Sequence, residues 1–494
     1  MGAQEFREVG HQLVDTLAEF LDSIPDRQIT HAATPTGLRQ VMGDGPLPED
    51  GTGAATLVSE ATHLLMEHSL LNGHPRFMGY ITSSAAPIGA LADLLAATIN
   101  PNVGAWTLAP LAPEIERQTI RWIAELIGYP TDCGGLLVSG GNMANFLGVL
   151  AARRAKAGWD IRAEGLQATD AEKILIYTSR ETHTWVEKAG DLFGFGTHAV
   201  RWIPTDADLR MKPTELTRQI EADITAGYRP FMVVGTAGTV STGAVDPLPA
   251  IAAICREHDL WFHVDGAYGA FAAMLPDAPE DLKGISLADS IALDPHKWLY
   301  SPLEAGCTLV RNAGMLEDTF SFHPAYYKFD GTNEDPPLNF HSYGMQNSRS
   351  FRALKVWLGL RQAGRSGYQR MISDDIRLAR ALHERVSEHP EFEPFTQDLS
   401  ISTFRYVPTH LEIDGTEREE YLNRLNTDIL TRLQAEGDVF VSNAVIGGRY
   451  VLRACIVNFR TTMADIDMIP GIVATIGRQL DAQLRPVTAM THKL

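Results

Sequence analysis

A lysine at the end of a short apolar run is the residue of this chain best suited to covalent chemistry. Lys297 is one of nine lysines in 494 residues, and it lies between His296 and Trp298, just after the run 290–293. A run of this kind predicts a buried strand that delivers its last side chains to the edge of a sheet. An amine shielded there by aromatic groups loses its proton readily and can attack a carbonyl. Taken alone, the pattern also fits a surface lysine whose stem lies along apolar groups.

A carboxylate repeats this arrangement earlier in the chain. Asp265 follows the apolar run 260–264, and small residues come directly after it. A lysine and a carboxylate at the ends of two strands of one α/β layer are what a pyridoxal phosphate site requires. The lysine holds the cofactor aldehyde, and the carboxylate keeps the pyridine nitrogen protonated so that the ring can accept electrons. The alternative for Asp265 is an acid that caps a nearby turn.

A third element could hold the phosphate of such a cofactor. Ser139, Gly140, Gly141 and Asn142 lie between a predicted strand and a predicted helix. Backbone N–H groups at a helix start bind a phosphate when side chains do not obstruct them. The spacing is not G-x-G-x-x-G, so a dinucleotide is not indicated. Gly-Gly turns are common, so this turn indicates a phosphate site only in combination with Lys297 and Asp265.

Together with the stretches 74–80, 181–189 and 348–357, these residues resemble the group II pyridoxal-phosphate amino acid decarboxylases. This is the family of the aromatic L-amino acid and glutamate decarboxylases, and the resemblance runs over residues 74–467 in the same order. It implies the type I fold of PLP-dependent transferases. It also implies a homodimer with the active site at the subunit interface, in which the N-terminal helical arm wraps the partner.

The resemblance also implies roles for single residues. His183 would stack on the pyridine ring opposite Ala267, Thr236 would lie near that ring, and His296 would bond the phosphate or move protons. Tyr326 would return a proton to the substrate carbon after carbon dioxide leaves, which favours simple decarboxylation over aldehyde formation. Each has a structural alternative: a loop histidine, a threonine-rich turn, a turn histidine or lid packing.

One position departs from the family. Asp294 stands where animal members usually carry an asparagine that bonds the phosphate. A carboxylate facing a dianion is repelled unless it is paired. We therefore expect Asp294 either to pair with His296 or to point elsewhere, with Ser290 then carrying more of the phosphate contact.

The substrate is less narrowly defined by the sequence than the cofactor. By resemblance, the pocket is expected to contain six residues: Tyr80, Ile81, Asn102, Gly104, Trp106 and Ser348. An aromatic L-amino acid is favoured, with tyrosine, DOPA, phenylalanine and tryptophan unresolved. The alternatives are a non-aromatic amino acid, an aldehyde synthase or aminotransferase-like activity on the same cofactor, and a binding protein without catalysis.

The order of apolar runs predicts the architecture. Seven candidate strands alternate with helical patterns through the middle of the chain, which predicts an α/β fold with a mostly parallel seven-stranded sheet and helices on both faces. An amphipathic helical pattern precedes it, and a small α+β pattern follows. The predicted division is a helical dimerisation segment (1–86), a large PLP-binding domain (87–363) and a small C-terminal domain (364–494).

Composition agrees with a globular enzyme. With 45% hydrophobic and 21% charged residues and a net charge of −19, the chain is unsuited to nucleic acid or an anionic membrane as a partner. The four scattered cysteines and the lack of an H-E-x-x-H spacing indicate neither a disulfide framework nor a metal site. We expect a cytoplasmic protein without a signal peptide or membrane span.

Overall fold

The computed structural model describes residues 1–167, 172–322 and 337–485. They form two compact units. The large unit comprises Ile81–Arg377 and Thr396–Ile401, and the small unit comprises Met1–Tyr80, Leu378–Phe395 and Ser402–Leu494. The three-segment division expected from the sequence stays a prediction.

A seven-stranded sheet forms the centre of the large unit. Its strands are β1 (Gly134–Val138), β2 (Ile174–Ser179), β3 (Val200–Ile203), β4 (Arg229–Thr236), β5 (Trp261–Asp265), β6 (Ser290–Leu293) and β7 (Gly306–Val310). Their order across the sheet is β1-β7-β6-β5-β4-β2-β3. Only β7 runs against its neighbours, so the predicted mostly parallel seven-stranded sheet is confirmed. Every residue of β1, β2, β5 and β6 is buried, as in a sheet covered on both faces.

Helices connect and cover these strands. The helices of the large unit are α4 (Pro87–Ile99), α5 (Leu111–Leu126), α6 (Gly141–Lys156), α7 (Ile161–Glu164), α8 (Trp185–Leu192), α9 (Pro213–Thr225), α10 (Leu248–Glu257), α11 (Pro295–Trp298) and α12 (Met315–Phe320). Of these, α6 packs along β4 to β7, and α10 packs on β4 and β5. The long helix α13 (Ala353–Glu388) breaks at Gly364, whose φ of 63° lies in the left-handed region, and then continues into the small unit.

The small unit is mixed α and β, as predicted for the two ends of the chain. It holds the N-terminal helices α1 (Ala3–Ser23), α2 (Pro35–Met42) and α3 (Ala54–His68), and the C-terminal helices α14 (Gly415–Glu436) and α15 (Met463–Leu484). A four-stranded sheet, in the order β10-β11-β9-β8, lies mainly in this unit. Its strands are β8 (Phe392–Asp398), β9 (Ile401–Tyr406), β10 (Ser442–Ile446) and β11 (Arg449–Cys455). Phe404, Leu425, Val441 and Val473 are fully buried in its core.

The direction of the strands decides where a site can form. Because β1, β2, β4, β5 and β6 point the same way, their carboxyl ends meet at one edge of the sheet. In open α/β sheets ligands bind outside this edge. Among the described residues, no helix has both the length and the apolar character needed to cross a bilayer.

Candidate active site

A cavity of about 650 Å³ opens at the carboxyl edge of the large unit's sheet. Most of the residues predicted for cofactor binding line it: Ser139, Gly140, Gly141, Asn142, His183, Thr236, Asp265, Ala267, Asp294, His296 and Lys297. They come from the carboxyl ends of five different strands and from the segments that follow them, so the sheet brings them together from distant parts of the sequence. A cavity of this size suits a small organic cofactor with its substrate.

Lys297 lies in the short helix α11, directly after β6. Pro295 begins the turn, and the indole of Trp298 anchors it by donating a hydrogen bond to Asp375 Oδ2 at 2.8 Å. The lysine side chain is only 20% exposed, and its Nζ lies 2.9 Å from Asp294 Oδ2. The amine is therefore aimed into the cavity and held by one carboxylate.

Asp265 ends β5 on the neighbouring strand. Its Oδ2 accepts a hydrogen bond from the indole Nε1 of Trp185 at 2.7 Å, and its Oδ1 accepts one from the backbone N–H of Ala267 at 3.2 Å. Two hydrogen-bond donors therefore fix the orientation of this carboxylate at the cavity wall. The side chain is thus prepared to face a cationic group in the cavity.

The phosphate cradle is the turn between β1 and α6. Gly140 has φ of 143°, a conformation that L side chains rarely adopt. A Cβ added at Gly141 would lie 2.7 Å from Asp294 Oδ2, so a side chain at this position would collide with the cavity wall. The bare backbone at the start of the sixteen-residue helix α6 therefore faces the cavity, as an anion site at a helix N-terminus requires.

The structure contradicts one of the two expectations for Asp294. It does not point elsewhere: it is 2% exposed and lies in the cavity wall. His296 Nε2 is 3.8 Å from Asp294 Oδ2, and the closer partner is Lys297. Within the described part of the chain, Oδ1 has no hydrogen-bond partner. The sequence predicted His296 as the partner of Asp294, whereas the closer partner in the structure is Lys297, whose amine α11 turns back toward the end of β6.

The two cavity histidines are both shifted toward the neutral form. Burial lowers the pKa of His296, and the nearby Asp294 carboxylate opposes this. Its Nδ1 lies 2.7 Å from the carbonyl oxygen of Ala305. His183 remains exposed at the cavity wall, yet the protein around its ring excludes enough water to lower its pKa, with Asp265 opposing. Its Nδ1 accepts a hydrogen bond from the backbone N–H of Trp185 at 3.2 Å.

Thr236 ends β4 and lines the cavity beside Asp265. Its hydroxyl lies 3.3 Å from that of Thr182, and its backbone N–H donates to Asp246 Oδ2 at 2.8 Å. Ala267 also lines the cavity, next to the cradle, with its Cβ 3.2 Å from the Cβ position of Gly141. Whether Ala267 and His183 lie on opposite faces of a bound ring stays a prediction.

Ser290 is not brought to the cavity, and its expected phosphate contact is wrong for this structure. The residue begins β6, whereas the cavity lies beyond the strand's carboxyl end. Its buried hydroxyl is hydrogen-bonded to Trp261 Nε1 at 2.8 Å and to His263 Nδ1 at 2.7 Å. Strand direction, which the apolar run by itself does not give, decides this placement.

Of the six residues predicted for the substrate pocket, Ile81 alone is among those that line this cavity. Asn102, Gly104 and Ser348 belong to another part of the large unit, where Asn102 Oδ1 accepts hydrogen bonds from the backbone N–H groups of Gly104 and Arg349. Trp106 is near them in sequence, and its backbone N–H donates to Asn339 Oδ1 at 3.0 Å. Tyr80 belongs to the small unit. Tyr326 lies outside the described residues.

Sequence reasoning missed several residues of the site. Trp185 stands two positions after His183, and its side chain reaches the carboxylate of Asp265. Asn145 lies one helical turn after Gly141 and also lines the cavity. Spacing within α6 could have indicated Asn145, because residues four apart share a helix face. The Trp185 contact spans 80 residues and has no local signal. No cluster of three or more potential metal ligands occurs in the described ranges.

The chain matches the pyridoxal-dependent decarboxylase conserved domain over residues 35–407. This chain is a pyridoxal-dependent decarboxylase. The family and the fold predicted from the sequence are therefore confirmed, and pyridoxal phosphate is the cofactor of this decarboxylase. Its reaction class is the decarboxylation of an amino acid.

Alignments with similar proteins cover nearly the whole decarboxylase. An aromatic-L-amino-acid decarboxylase of Bacillus atrophaeus is 34% identical, covering 94% of this chain and 94% of that protein. A phenylacetaldehyde synthase of Arabidopsis thaliana is 28% identical, covering 92% of each. The crystal structure of Oryza sativa TDC with PLP and tryptamine superposes with a TM-score of 0.90 at 26% identity, covering 97% of this chain and 99% of that one.

The residues present fit this cofactor. The cavity combines an amine at Lys297, a doubly hydrogen-bonded carboxylate at Asp265 and an unobstructed helix start at Gly141. These groups match the aldehyde, the pyridine nitrogen and the phosphate of pyridoxal phosphate, respectively. When bound, the cofactor supplies an electron sink for the electron pair that remains when carbon dioxide leaves.

Proposed function

We propose that this decarboxylase converts an aromatic L-amino acid to the corresponding amine and carbon dioxide. The observation that carries the proposal is the 34% identity to the Bacillus atrophaeus aromatic-L-amino-acid decarboxylase over 94% of both chains. The structural likeness to a protein solved with tryptamine supports it. Tyrosine, DOPA, phenylalanine and tryptophan are the candidate substrates.

The decisive experiment offers the purified, cofactor-loaded protein each of the twenty common amino acids and DOPA. Mass spectrometry identifies the products, and released carbon dioxide is measured alongside. We expect an amine from at least one aromatic substrate and much less amine from the non-aromatic amino acids. Turnover of glutamate or histidine with none of the aromatic substrates would contradict the proposal.

The geometry of the cavity supports roles for individual residues. We propose that the Lys297 amine carries the cofactor, and that Asp265, held by Trp185 and Ala267, keeps a proton on the ring nitrogen. With the cofactor bound, Asp265 would thereby stabilise the transition state for loss of carbon dioxide more than the bound substrate. His183 would cover one face of the ring and exclude water.

Aldehyde formation is the second candidate function. It is favoured by the 28% identity to an Arabidopsis thaliana phenylacetaldehyde synthase over 92% of each chain. Tyr326 is predicted to decide between the two outcomes by returning a proton to the substrate carbon. This second reaction consumes dioxygen as the oxidant and water, and it releases carbon dioxide, ammonia and hydrogen peroxide with the aldehyde. Production of hydrogen peroxide and aldehyde in place of amine would favour it. A Tyr326→Phe variant with an unchanged product ratio would remove the residue from this role.

The active decarboxylase is proposed to be a homodimer whose subunits share their active sites. Helix α4 exposes an apolar face, with Leu91, Leu94, Leu95 and Ile99 each about half exposed or more. Exposed apolar surface of this extent on one helix is typical of a protein interface. A second copy of the chain is the proposed occupant, because most of the predicted substrate residues lie outside the cavity of their own chain.

Subunit mixing tests the shared site. Lys297→Ala and Trp106→Ala variants, inactive as separate preparations, are refolded or expressed together. If each site takes residues from both chains, mixed dimers hold one intact site, and activity recovers to about a quarter of the wild-type value. No recovery, with dimers present by light scattering, would contradict shared sites. A monomer by light scattering would contradict the dimer itself.

The cellular compartment is also a proposal. No disulfide is formed among the described residues, as is usual for proteins of reducing compartments. We propose a cytoplasmic enzyme, which cell fractionation with an antibody against the chain would test.

A further inference from the structure

A chain of buried hydrogen bonds runs beneath the cofactor cavity and ends at the phosphate cradle. Trp261 Nε1 lies 2.8 Å from Ser290 Oγ, and Ser290 Oγ lies 2.7 Å from His263 Nδ1. On the other side of the ring, His263 Nε2 lies 2.7 Å from Asn145 Oδ1. Asn145 Nδ2 then donates to the carbonyl oxygen of Gly141 at 2.9 Å. The His263 and Ser290 side chains are fully buried, and Asn145 is 1% exposed.

The chemistry of the groups fixes the direction of every bond. The Gly141 carbonyl only accepts, so Asn145 presents its NH₂ there and its oxygen to His263. That oxygen also only accepts, so the proton of the imidazole is on Nε2. Nδ1 then accepts a hydrogen bond from the Ser290 hydroxyl, while the Ser290 oxygen accepts one from the Trp261 indole. One neutral tautomer of His263 satisfies the whole chain, and burial, which lowers its pKa to about 4, favours that neutral form.

His263 also supports the other end of the site. It precedes Asp265 by two residues on β5, and its ring packs against the Trp185 indole in a T-shaped arrangement, with the ring centroids 5.9 Å apart and the planes at 74°. That same indole donates to Asp265 Oδ2. Helix α6 can approach the imidazole this closely because residue 148 is glycine: a Cβ there would lie 2.5 Å from His263 Cε1.

We propose that His263 is a positioning residue that fixes the phosphate cradle relative to Asp265. The cradle needs such a support because Gly140 and Gly141 by themselves restrict the backbone little. Asn145 ties the Gly141 carbonyl to strand β5, so the N–H groups at the start of α6 keep one distance from the carboxylate at the end of that strand. A cofactor that binds both ends is then met by a preorganised site. The inference rests on the proposed roles of Gly141 and Asp265.

The test compares two ligands that differ only in the phosphate. Dissociation constants of pyridoxal 5′-phosphate and of pyridoxal are measured by absorbance for wild type, Asn145→Ala and His263→Gln. For Asn145→Ala, which removes the hydrogen bonds to both His263 and the Gly141 carbonyl, we expect the constant for pyridoxal phosphate to rise at least about tenfold and that for pyridoxal to change by less than about twofold. His263→Gln, whose amide can still donate to Asn145, should retain most of the preference for the phosphorylated ligand.

A matched control separates positioning from general loosening of α6. Thr308→Val removes another buried hydrogen bond to this helix, from Thr308 Oγ1 to the Ala144 carbonyl at 2.8 Å, without touching the chain through His263. It should lower the melting temperature and leave the ratio of the two dissociation constants unchanged. Equal weakening of both ligands by Asn145→Ala, no weakening, or the same change of ratio in Thr308→Val would overturn the inference.

A separate variant tests the assignment of the phosphate cradle itself. Gly141→Ala places a Cβ against Asp294 and should also reduce the preference for the phosphorylated ligand. If Gly141→Ala changes the ratio of the two dissociation constants and Asn145→Ala does not, the phosphate cradle is correctly assigned and the proposed role of His263 is wrong. If Gly141→Ala leaves the ratio unchanged, both the cradle assignment and the inference that rests on it are wrong.

Discussion

The contact between Trp185 and Asp265 gives the sharpest prediction for catalysis. Trp185 is 1% exposed, and its Nε1 donates to Asp265 Oδ2 at 2.7 Å. Trp185→Phe keeps an aromatic ring in place and removes this donor. Among the described residues, the carboxylate then keeps the hydrogen bond from the backbone N–H of Ala267 at 3.2 Å.

The expected loss follows from the strength of one charge-assisted hydrogen bond. Bonds to charged groups contribute about 1.5–3 kcal/mol. If that contribution is needed in the transition state, where the ring nitrogen must keep its proton, turnover falls roughly 10- to 150-fold. The smaller ring also leaves a void, which should lower the free energy of unfolding by about 1–3 kcal/mol.

The assay measures kcat at saturating pyridoxal phosphate, with cofactor occupancy read from absorbance and folding from the melting temperature. Trp357→Phe is the matched control, because it removes an indole donor from Gln118 Oε1 at 2.7 Å, away from the cavity. It should leave kcat nearly unchanged. A folded, fully occupied Trp185→Phe protein with kcat within about twofold of wild type would refute the reasoning.

Four other changes test separate parts of the molecule. Lys297→Ala should abolish turnover and the visible absorbance of the bound cofactor, since its amine is the group expected to carry it; retained absorbance at full occupancy would contradict this. Asp294→Asn should tighten pyridoxal phosphate binding on the order of tenfold in an absorbance titration, because it removes a negative charge beside the cradle; weaker binding would show that the carboxylate is needed. Glu116→Gln should lower the free energy of unfolding by about 3–5 kcal/mol in denaturant titrations, since it removes the counter-charge of the buried Arg349; a loss below about 1 kcal/mol would count against the ion pair. Burial raises the pKa of Asp246 from 3.8 to about 6. This shift stabilises the folded protein by about 3 kcal/mol below about pH 4, where the side chain is protonated, and the contribution is lost as the pH rises through 6. Asp246→Asn should remove this part of the pH dependence when unfolding is compared at pH 5 and pH 8, and an unchanged dependence would show that another group is responsible.

Features encoded over a few neighbouring residues were predictable from the sequence. The runs that end at Asp265 and before Asp294 are mostly apolar, which predicts strands buried on both faces. Alternation of such runs with helical patterns favours a parallel arrangement, and a parallel arrangement places all carboxyl ends at one edge. The lysine, the carboxylate and the glycine turn could therefore be expected to meet before any contact between them was known.

Contacts between distant side chains were decided by tertiary packing. Trp185 reaches Asp265, Asn145 reaches His263, and Ser290 is directed away from the cavity, although each lies close in sequence to a residue that was predicted well. These outcomes depend on strand direction and on how closely α6 approaches β5. The sequence by itself determined which groups stand at the ends of the strands, because hydrophobic periodicity is local. Only the folded structure decided which of those groups share a hydrogen bond, because such a bond forms between atoms less than about 3.5 Å apart, and packing alone sets that distance.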